Sequence, residues 1–319
     1  MGQAPPKPTV DLASKCEKEG VKFHEERRKI NGHMRNVSSW LPVSEELRAV
    51  VFISHGYIEH SLSYYNLAHK FVENGFAVYA MDHVAHGKSD GRRGVIADYR
   101  ILYSDYIDFV NSIRPNYPNL PAFLFCHSMG GLVGIMSING IKNLNAVVLS
   151  APALVAGPGS ASPFGLRCLF PITRTAFAAC LTSITSVIDP AGPAAPIVPE
   201  DVTSNPEVIK ELNEDPRRNK GFVTNKAGKE LLRMIKVAKE EIPRITLPFL
   251  IIHGSDDEVT LREGSEYFFK NAGTDITLRR IHIFEGAKHE VTNESEPYRS
   301  ESIAMIIDYF NEQIESIIP

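Results

Sequence analysis

The strongest constraint on the fold of this chain is a repeated alternation of short apolar runs with longer segments of helical periodicity. Most of the runs are apolar throughout rather than at every second position, and each is bounded by turn residues. Strands that are buried on both faces of a parallel sheet have this pattern. We therefore predict strands at residues 49–53, 76–80, 122–125, 146–149, 249–252 and 277–284.

The segments between these runs have the apolar spacing of helices that cross over a sheet. Crossover helices are predicted at residues 62–73, 99–114 and 129–141, and a closing helix at 301–317. Asn31-Gly32 separates two further β-rich segments, which predicts an antiparallel hairpin at the start of the fold. The repeated strand-then-helix order predicts an α/β fold with a mostly parallel sheet.

Composition narrows the classes of function. The chain has 319 residues, 43% of them hydrophobic, which allows one large core with an accessory segment. A net charge of −4 gives no basic surface for nucleic acid, and the four cysteines have no metal-like spacing. Residues 1–20 lack the apolar stretch of a signal peptide, so we expect a cytoplasmic protein. We also expect no metal and no organic cofactor.

The strand-then-helix order fails between residues 152 and 243. Residues 151–188 contain only two charged residues, whereas residues 206–243 are dense in Lys and Glu. We predict an N-terminal extension (1–20), a core built from 21–151 and 244–319, and a helical cap, or lid, inserted at 152–243. The alternative is a surface excursion of the chain that packs on the core.

Ser128 has the position of an activated nucleophile. The predicted strand 122–125 runs through Cys126-His127-Ser128-Met129-Gly130 into a helix, and Gly follows the serine by two residues. This strand–turn–helix arrangement is the nucleophile elbow, which projects the serine from the carboxyl edge of a sheet. The usual pattern has Gly where this chain has Cys126, and a thiol is compact enough for the turn to tolerate it.

A serine hydroxyl needs a base, and the usual chain order of such sites is serine, acid, histidine. His289 lies in a loop after the last predicted strand, whereas His282 lies within that strand, so His289 is the predicted base. The acid should follow the strand 249–252, where Asp256 and Asp257 are adjacent. The residues themselves leave the choice between the two aspartates open.

The developing oxyanion needs two backbone N–H donors. Met129 directly follows the nucleophile and should supply one of them. The other should come from Tyr57, in the loop that follows the first predicted parallel strand after the pair His55-Gly56.

Five segments together carry a resemblance to a known family. They are His55-Gly56 with Glu59-His60, Asp82-His83-Val84-Ala85-His86-Gly87-Lys88-Ser89, His127-Ser128-Met129-Gly130-Gly131, Gly254-Ser255-Asp256-Asp257 and Glu285-Gly286-Ala287-Lys288-His289. In this order they resemble the monoacylglycerol lipases of the α/β-hydrolase superfamily. The resemblance implies that Asp257, at the fourth position of the G-S-x-D segment, is the triad acid. It also implies a cap whose apolar face admits lipid.

This chain departs from the family pattern at four places. Cys126 and Ala85 stand where the family has glycine. Ser63 and Thr292 stand where the mammalian enzymes have an Arg and a His that help to hold the glycerol head group. The ester chemistry therefore follows from the resemblance more directly than the preference for glycerol.

The resemblance predicts a serine hydrolase that cleaves monoacylglycerols through an acyl-enzyme, with a lipid ester as its partner and reversible contact of the cap with a membrane surface. The alternatives are a lysophospholipase or a broad carboxylesterase with the same triad, and, more distantly, a non-catalytic lipid-binding protein. Contacts with the substrate are expected from Glu59, His60, Leu154, Leu169 and Phe170.

Overall fold

The computed structural model describes residues 19–43, 46–157, 185–218 and 221–317. A central sheet of eight strands has the order β1-β2-β4-β3-β5-β6-β9-β10. Its strands are β1 (Val21–Ile30), β2 (His33–Pro42), β3 (Ala49–Ser54), β4 (Phe76–Met81), β5 (Ala122–His127), β6 (Ala146–Ser150), β9 (Phe249–Gly254) and β10 (Arg279–Phe284). A separate antiparallel pair consists of β7 (Pro193–Pro196) and β8 (Phe222–Thr224).

The sheet is mostly parallel, as the continuous apolar runs predict. From β4 to β10 all neighbouring strands are parallel, whereas β1 pairs antiparallel with β2 and β2 pairs antiparallel with β4. The turn between β1 and β2 is formed by Asn31 and Gly32, which have φ angles of 48° and 82°. Positive φ at both central residues is the requirement of a type I′ turn, so the predicted hairpin is confirmed.

Helices cover both faces of this sheet. Phe71 and Phe310 belong to one buried cluster, whereas Phe109 and Leu132 belong to a second one on the opposite face. Neighbouring residues of one strand divide between them, since Val51 joins the first cluster and Phe52 the second. The helices are α1 (Tyr65–Glu73), α2 (Tyr99–Ile113), α3 (Met129–Ser137), α4 (Pro199–Val202), α5 (Pro206–Glu214), α6 (Asn225–Glu241), α7 (Arg262–Asn271) and α8 (Tyr298–Glu315).

Several element boundaries differ from the sequence predictions. The last strand begins at Arg279 rather than at 277, because Ile276–Leu278 forms a 3₁₀ turn. The Asp275 carboxylate caps this turn by accepting hydrogen bonds from the Thr277 N–H at 2.9 Å and the Thr277 hydroxyl at 2.6 Å. Local side-chain capping of this kind competes with strand formation.

The inserted segment contains both helices and strands where the structure describes it. It holds the helices α4, α5 and α6, and besides them the short strand pair β7–β8, which the sequence did not predict. The short pair β7–β8 escaped prediction because its seven residues do not have the pattern of a strand. Two of them, Pro193 and Pro196, are prolines, and a third, Phe222, directly follows a glycine. Leu169 and Phe170 lie outside the described residues. Within those residues, no helix has the length and apolarity needed to cross a membrane.

Candidate active site

Ser128 lies in a sharp turn between β5 and α3. Its backbone has φ 54° and ψ −118°, a strained conformation for a residue with a side chain. The turn is tight on both sides, since a Cβ added at Gly130 would lie 2.1 Å from the Ser54 carbonyl oxygen. A Cβ at Gly131 would lie 2.8 Å from the Pro152 Cβ. The glycines therefore allow strand and helix to approach closely at the elbow.

The backbone of the elbow is held by three hydrogen bonds. The Ser128 N–H donates to the Ser150 carbonyl oxygen at 3.0 Å. The Ser128 carbonyl oxygen accepts from the N–H groups of Gly131 at 2.9 Å and Ala153 at 3.1 Å. These bonds, from α3 and from the end of β6 and the residues after it, hold the strained Ser128 in place. The Ser128 side chain is almost fully buried.

The atypical Cys126 is accommodated by a glycine one helical turn into α3. Its side chain is fully buried, and a Cβ added at Gly134 would lie 2.6 Å from the Cys126 sulfur. The thiol thus fills the space above Gly134. Burial raises the pKa of the Cys126 thiol far above its usual range, which makes the thiol unreactive.

The structure brings Asp257, and not Asp256, to His289. The Asp257 Oδ2 lies 2.7 Å from the His289 Nδ1 and accepts a hydrogen bond from the Thr260 hydroxyl at 2.9 Å. Its Oδ1 accepts from the N–H groups of Val259 at 2.8 Å and Thr260 at 2.9 Å. Asp256 is exposed and accepts only from the Ser255 hydroxyl among its described side-chain contacts.

A second histidine, His253, lies on the other side of Asp257. The His253 Nε2 is 3.0 Å from the Asp257 Oδ2, and its Nδ1 is 2.7 Å from the Ser265 hydroxyl. Burial disfavours an ionised carboxyl, but the contacts with His289 and His253 outweigh it and hold the pKa of Asp257 far below its usual range. Burial likewise disfavours a charged imidazole, yet the Asp257 carboxylate outweighs it and raises the pKa of His289.

The loop after β3 is folded around a buried glutamate. The Glu59 Oε2 accepts from the Gly56 N–H at 2.7 Å and from the Tyr64 hydroxyl at 2.6 Å. These bonds fix the backbone on both sides of Tyr57, whose hydroxyl donates to the Gly94 carbonyl oxygen at 2.6 Å. Met129, the other predicted oxyanion donor, is the first residue of α3, where the backbone N–H groups point away from the helix.

The Asp82-His83 run supports this loop rather than lining the site. The Asp82 carboxylate accepts from the backbone N–H groups of Ser61 at 2.7 Å and Lys88 at 2.9 Å. The His83 N–H donates to the His55 Nε2 at 2.8 Å, and the His55 Nδ1 lies 2.8 Å from the Gly56 carbonyl oxygen. The motif that is most specific to the resemblance thus fixes the loop that carries Tyr57.

The residues expected to contact the substrate have different surroundings. The His60 Nε2 lies 2.6 Å from the Asp215 Oδ2, and its Nδ1 accepts from the Leu62 N–H at 3.2 Å. His60 therefore links the loop after β3 to the inserted segment. Leu154 is fully buried. The Glu59 Oε1 lies 3.6 Å from the Nε2 of His127, the residue that precedes Ser128 in the elbow.

Sequence reasoning missed two groups beside the triad, His127 and Glu290. The His127 ring lies 4.7 Å from the His289 ring, measured between centroids. Burial, with His289 nearby, lowers the pKa of His127 to about 3. Burial and the Glu59 carboxylate raise the pKa of Glu290 to about 7. Both residues adjoin triad positions in the chain, and that adjacency was the signal available in the sequence.

Comparisons with known proteins show the family of this chain. The family model described as serine aminopeptidase, S33, matches residues 45–296. The chain is 30% identical to the human monoglyceride lipase over 257 residues, which covers 80% of this chain and 79% of that one. It is also 30% identical to the monoacylglycerol lipase of Mycolicibacterium smegmatis, over 81% of this chain and 86% of the relative.

A solved structure extends the similarity to the fold. The crystal structure of the Paleococcus ferrophilus monoacylglycerol lipase superposes with a TM-score of 0.68 at 26% identity, over 88% of this chain and 99% of that one. The family model alone spans most of the chain, and it includes the elbow, both aspartates and His289. The chain therefore belongs to the serine aminopeptidase S33 family of α/β-hydrolases, as a relative of the monoglyceride lipases.

Proposed function

We propose that this chain hydrolyses the ester bond of monoacylglycerols to a fatty acid and glycerol, with Ser128, His289 and Asp257 as its catalytic triad. The observation that carries the proposal is the 2.7 Å contact between Asp257 and His289 beside the strained serine. The similarity to a human monoglyceride lipase and a bacterial monoacylglycerol lipase supports the choice of substrate.

The chemistry follows from the orientation of His289. Its Nδ1–H donates to Asp257, which leaves Nε2 to take the proton of the Ser128 hydroxyl. The Ser128 oxygen then attacks the ester carbonyl, and a tetrahedral intermediate forms. His289 returns the proton to the leaving alcohol as the acyl-enzyme forms. Water, activated by the same imidazole, attacks the acyl-enzyme and releases the fatty acid and free Ser128.

The negative charge of the tetrahedral intermediate is stabilised by the backbone N–H groups of Tyr57 and Met129. The loop of Tyr57 is fixed by Glu59 and His55 before substrate arrives, so the donors need no reorganisation during the reaction. Loss of one such donor typically costs about 10²–10³ in kcat.

A lysophospholipase or a broader carboxylesterase is the second candidate. The observation that favours it is the pair Ser63 and Thr292, which replaces the Arg and His expected at a glycerol site. Both residues are shorter than those they replace. We therefore infer that Glu59, His60 and the inserted segment determine which head group the site accepts.

Reversible contact with a membrane surface belongs to the same proposal. Val187 and Ile188, at the end of the low-charge stretch 151–188, are 77% and 79% exposed. Exposed aliphatic side chains beside an apolar segment are suited to the boundary of a lipid bilayer. We expect sedimentation with liposomes that is weakened in the double variant V187D/I188D.

The deciding experiment compares wild type with Ser128→Ala on 1- and 2-monoacylglycerol and on lysophosphatidylcholine. We expect wild type to prefer the monoacylglycerols, and S128A to lose at least about 10³-fold of the activity and all labelling by a fluorophosphonate probe. Full activity of S128A would refute the triad, whereas a preference for lysophosphatidylcholine would refute only the substrate.

A further inference from the structure

Three buried side chains meet beside the triad without being part of it. Glu59, His127 and Glu290 each offer one ligand atom, and these atoms all lie within 4.8 Å of one another. They come from three segments of the chain: the loop after β3, the end of β5, and the loop after β10. The cluster is therefore a product of the fold and not of a local motif.

His127 directs a lone pair into this cluster. Its Nδ1 lies 3.1 Å from the Ser150 carbonyl oxygen, which can only accept, so Nδ1 carries the proton. In the neutral ring Nε2 is then an acceptor. It makes no hydrogen bond with any described residue, and it lies 3.6 Å from the Glu59 Oε1.

The two carboxylates accept hydrogen bonds from outside the cluster, and a side-chain hydrogen bond also joins Glu59 and Glu290. The Gly56 N–H and the Tyr64 hydroxyl both donate to the Glu59 Oε2, which leaves Oε1 to face His127. The Asn293 amide donates to the Glu290 Oε2 at 3.0 Å. Metal-binding side chains are characteristically supported in this way by hydrogen bonds from a surrounding layer.

We propose that Glu59, His127 and Glu290 bind a divalent transition-metal ion of the zinc type. A cation between these three side chains would offset the repulsion of their acceptor atoms, in competition with the hydrogen bond that joins Glu59 and Glu290. Zinc bonds of about 2.0–2.2 Å separate the ligands of a tetrahedral site by about 3.4 Å, close to the observed separation of 3.6 Å between Nε2 and Oε1. One His with two carboxylates is a ligand set that zinc accepts, and its fourth position stays open.

A competing positive charge lies nearby. The buried Arg218 guanidinium interacts electrostatically with Glu290, and its Nη1 makes no hydrogen bond with a described residue. It offsets part of the charge of Glu290. Removal of this charge should therefore strengthen the binding of a cation.

A bound ion would also act on the reaction, an expectation that rests on the proposed function. The His127 ring is 4.7 Å from the His289 ring, so a dication held by His127 lies close to the imidazole that must become positively charged. We therefore expect zinc to inhibit hydrolysis.

The test measures metal binding directly, so that its failure is distinct from a failure of the ester chemistry. The full chain, freed of any affinity tag and of metal, is titrated with Zn²⁺ by calorimetry, and the bound metal is counted after dialysis. The variants are Glu290→Gln, Arg218→Gln and, as a matched control, Glu285→Gln, whose side chain is exposed in the same loop. Thermal unfolding verifies that each variant is folded.

We expect one Zn²⁺ per chain in wild type and in E285Q. The affinity should fall at least about a hundredfold in E290Q, since even the supporting partners of metal ligands are worth about 10–100-fold. In R218Q it should rise by about tenfold. A wild-type chain that binds no Zn²⁺, an E290Q variant that binds it as tightly as wild type, or an R218Q variant that binds it no more tightly would each overturn the assignment.

Discussion

Asp256 and Asp257 are adjacent in the chain, but their carboxylates have opposite surroundings. Asp257 is buried and accepts hydrogen bonds from two backbone N–H groups, a hydroxyl and His289. Asp256 is exposed and bonded to Ser255. The same substitution at these two adjacent positions therefore tests which of the two aspartates is the acid.

We expect Asp257→Asn to lower kcat by about 10⁴, because the amide would favour the wrong tautomer of His289. Asp256→Asn should stay within about twofold of wild type. The measurement is steady-state hydrolysis of a short-chain chromogenic ester at saturating substrate. Equal losses in the two variants would contradict the assignment of Asp257.

At the residue scale, chain order and loop position predict Ser128 and His289 as partners in one site. The two aspartates could not be distinguished by position alone, because the choice depends on which carboxylate the turn buries. His127 and Glu290 escaped prediction for another reason. Each adjoins a triad residue in the chain, but the cluster that they form with Glu59 joins segments that are distant in sequence.

Among the elements, a buried ion pair joins the antiparallel hairpin to the first long crossover helix. The Arg35 Nε on β2 donates to the Asp105 Oδ2 on α2 at 2.7 Å, and both side chains are almost fully buried. The Asn31 amide of the hairpin turn donates to the other oxygen of Asp105 at 3.0 Å. The hairpin is thus fixed to the helix at its turn as well as through its strands.

Asp105→Asn should lower the free energy of unfolding by about 3–5 kcal/mol, because it leaves the Arg35 charge buried without a counterion. Asp108→Asn is the control, since Asp108 is exposed on the same helix and should change stability by less than about 0.5 kcal/mol. Chemical denaturation followed by circular dichroism gives both values. A loss in D105N no greater than that in D108N would mean that the pair contributes nothing.

Strands were easier to predict than the boundaries of helices. The continuous apolar runs identified the strands because both faces of the parallel sheet are covered by helices. Helix α3 ends at Ser137 rather than near 141 because Ile138–Gly140 tightens into a 3₁₀ turn. The pair β7–β8 had no such signal, since a two-stranded ribbon outside the main sheet needs no continuous apolar run.

For the whole molecule, the contact between His60 and Asp215 is one of the polar contacts that connect the loop after β3 with the inserted segment. Burial disfavours ionisation of Asp215, but the hydrogen bond from His60 outweighs it and lowers the pKa of Asp215 below its usual range. A lowered pKa in the folded state means that the contact stabilises the fold fully above the ordinary pKa of about 4, and that this contribution is lost as the pH falls below it.

Asp215→Asn should therefore reduce the free energy of unfolding by about 1–2 kcal/mol at pH 7 and by less at pH 3. Glu214→Gln, an exposed neighbour at the end of α5, serves as the control and should have no effect at either pH. Urea unfolding at pH 7, 5 and 3 measures the difference. A loss in D215N that is the same at all three values would refute the electrostatic origin of the contact.

The network that holds the loop after β3 has a consequence for how such a chain can diversify. Its anchors, Asp82, His83 and His55, all lie in the sheet core and its edge loops, outside the inserted residues 152–243. These anchors of the loop that carries Tyr57 are thus encoded in stretches of the gene that are separate from the insertion. We therefore expect an exchange of the insertion between relatives to leave the hydrogen bonds of Asp82, His83 and His55 in place.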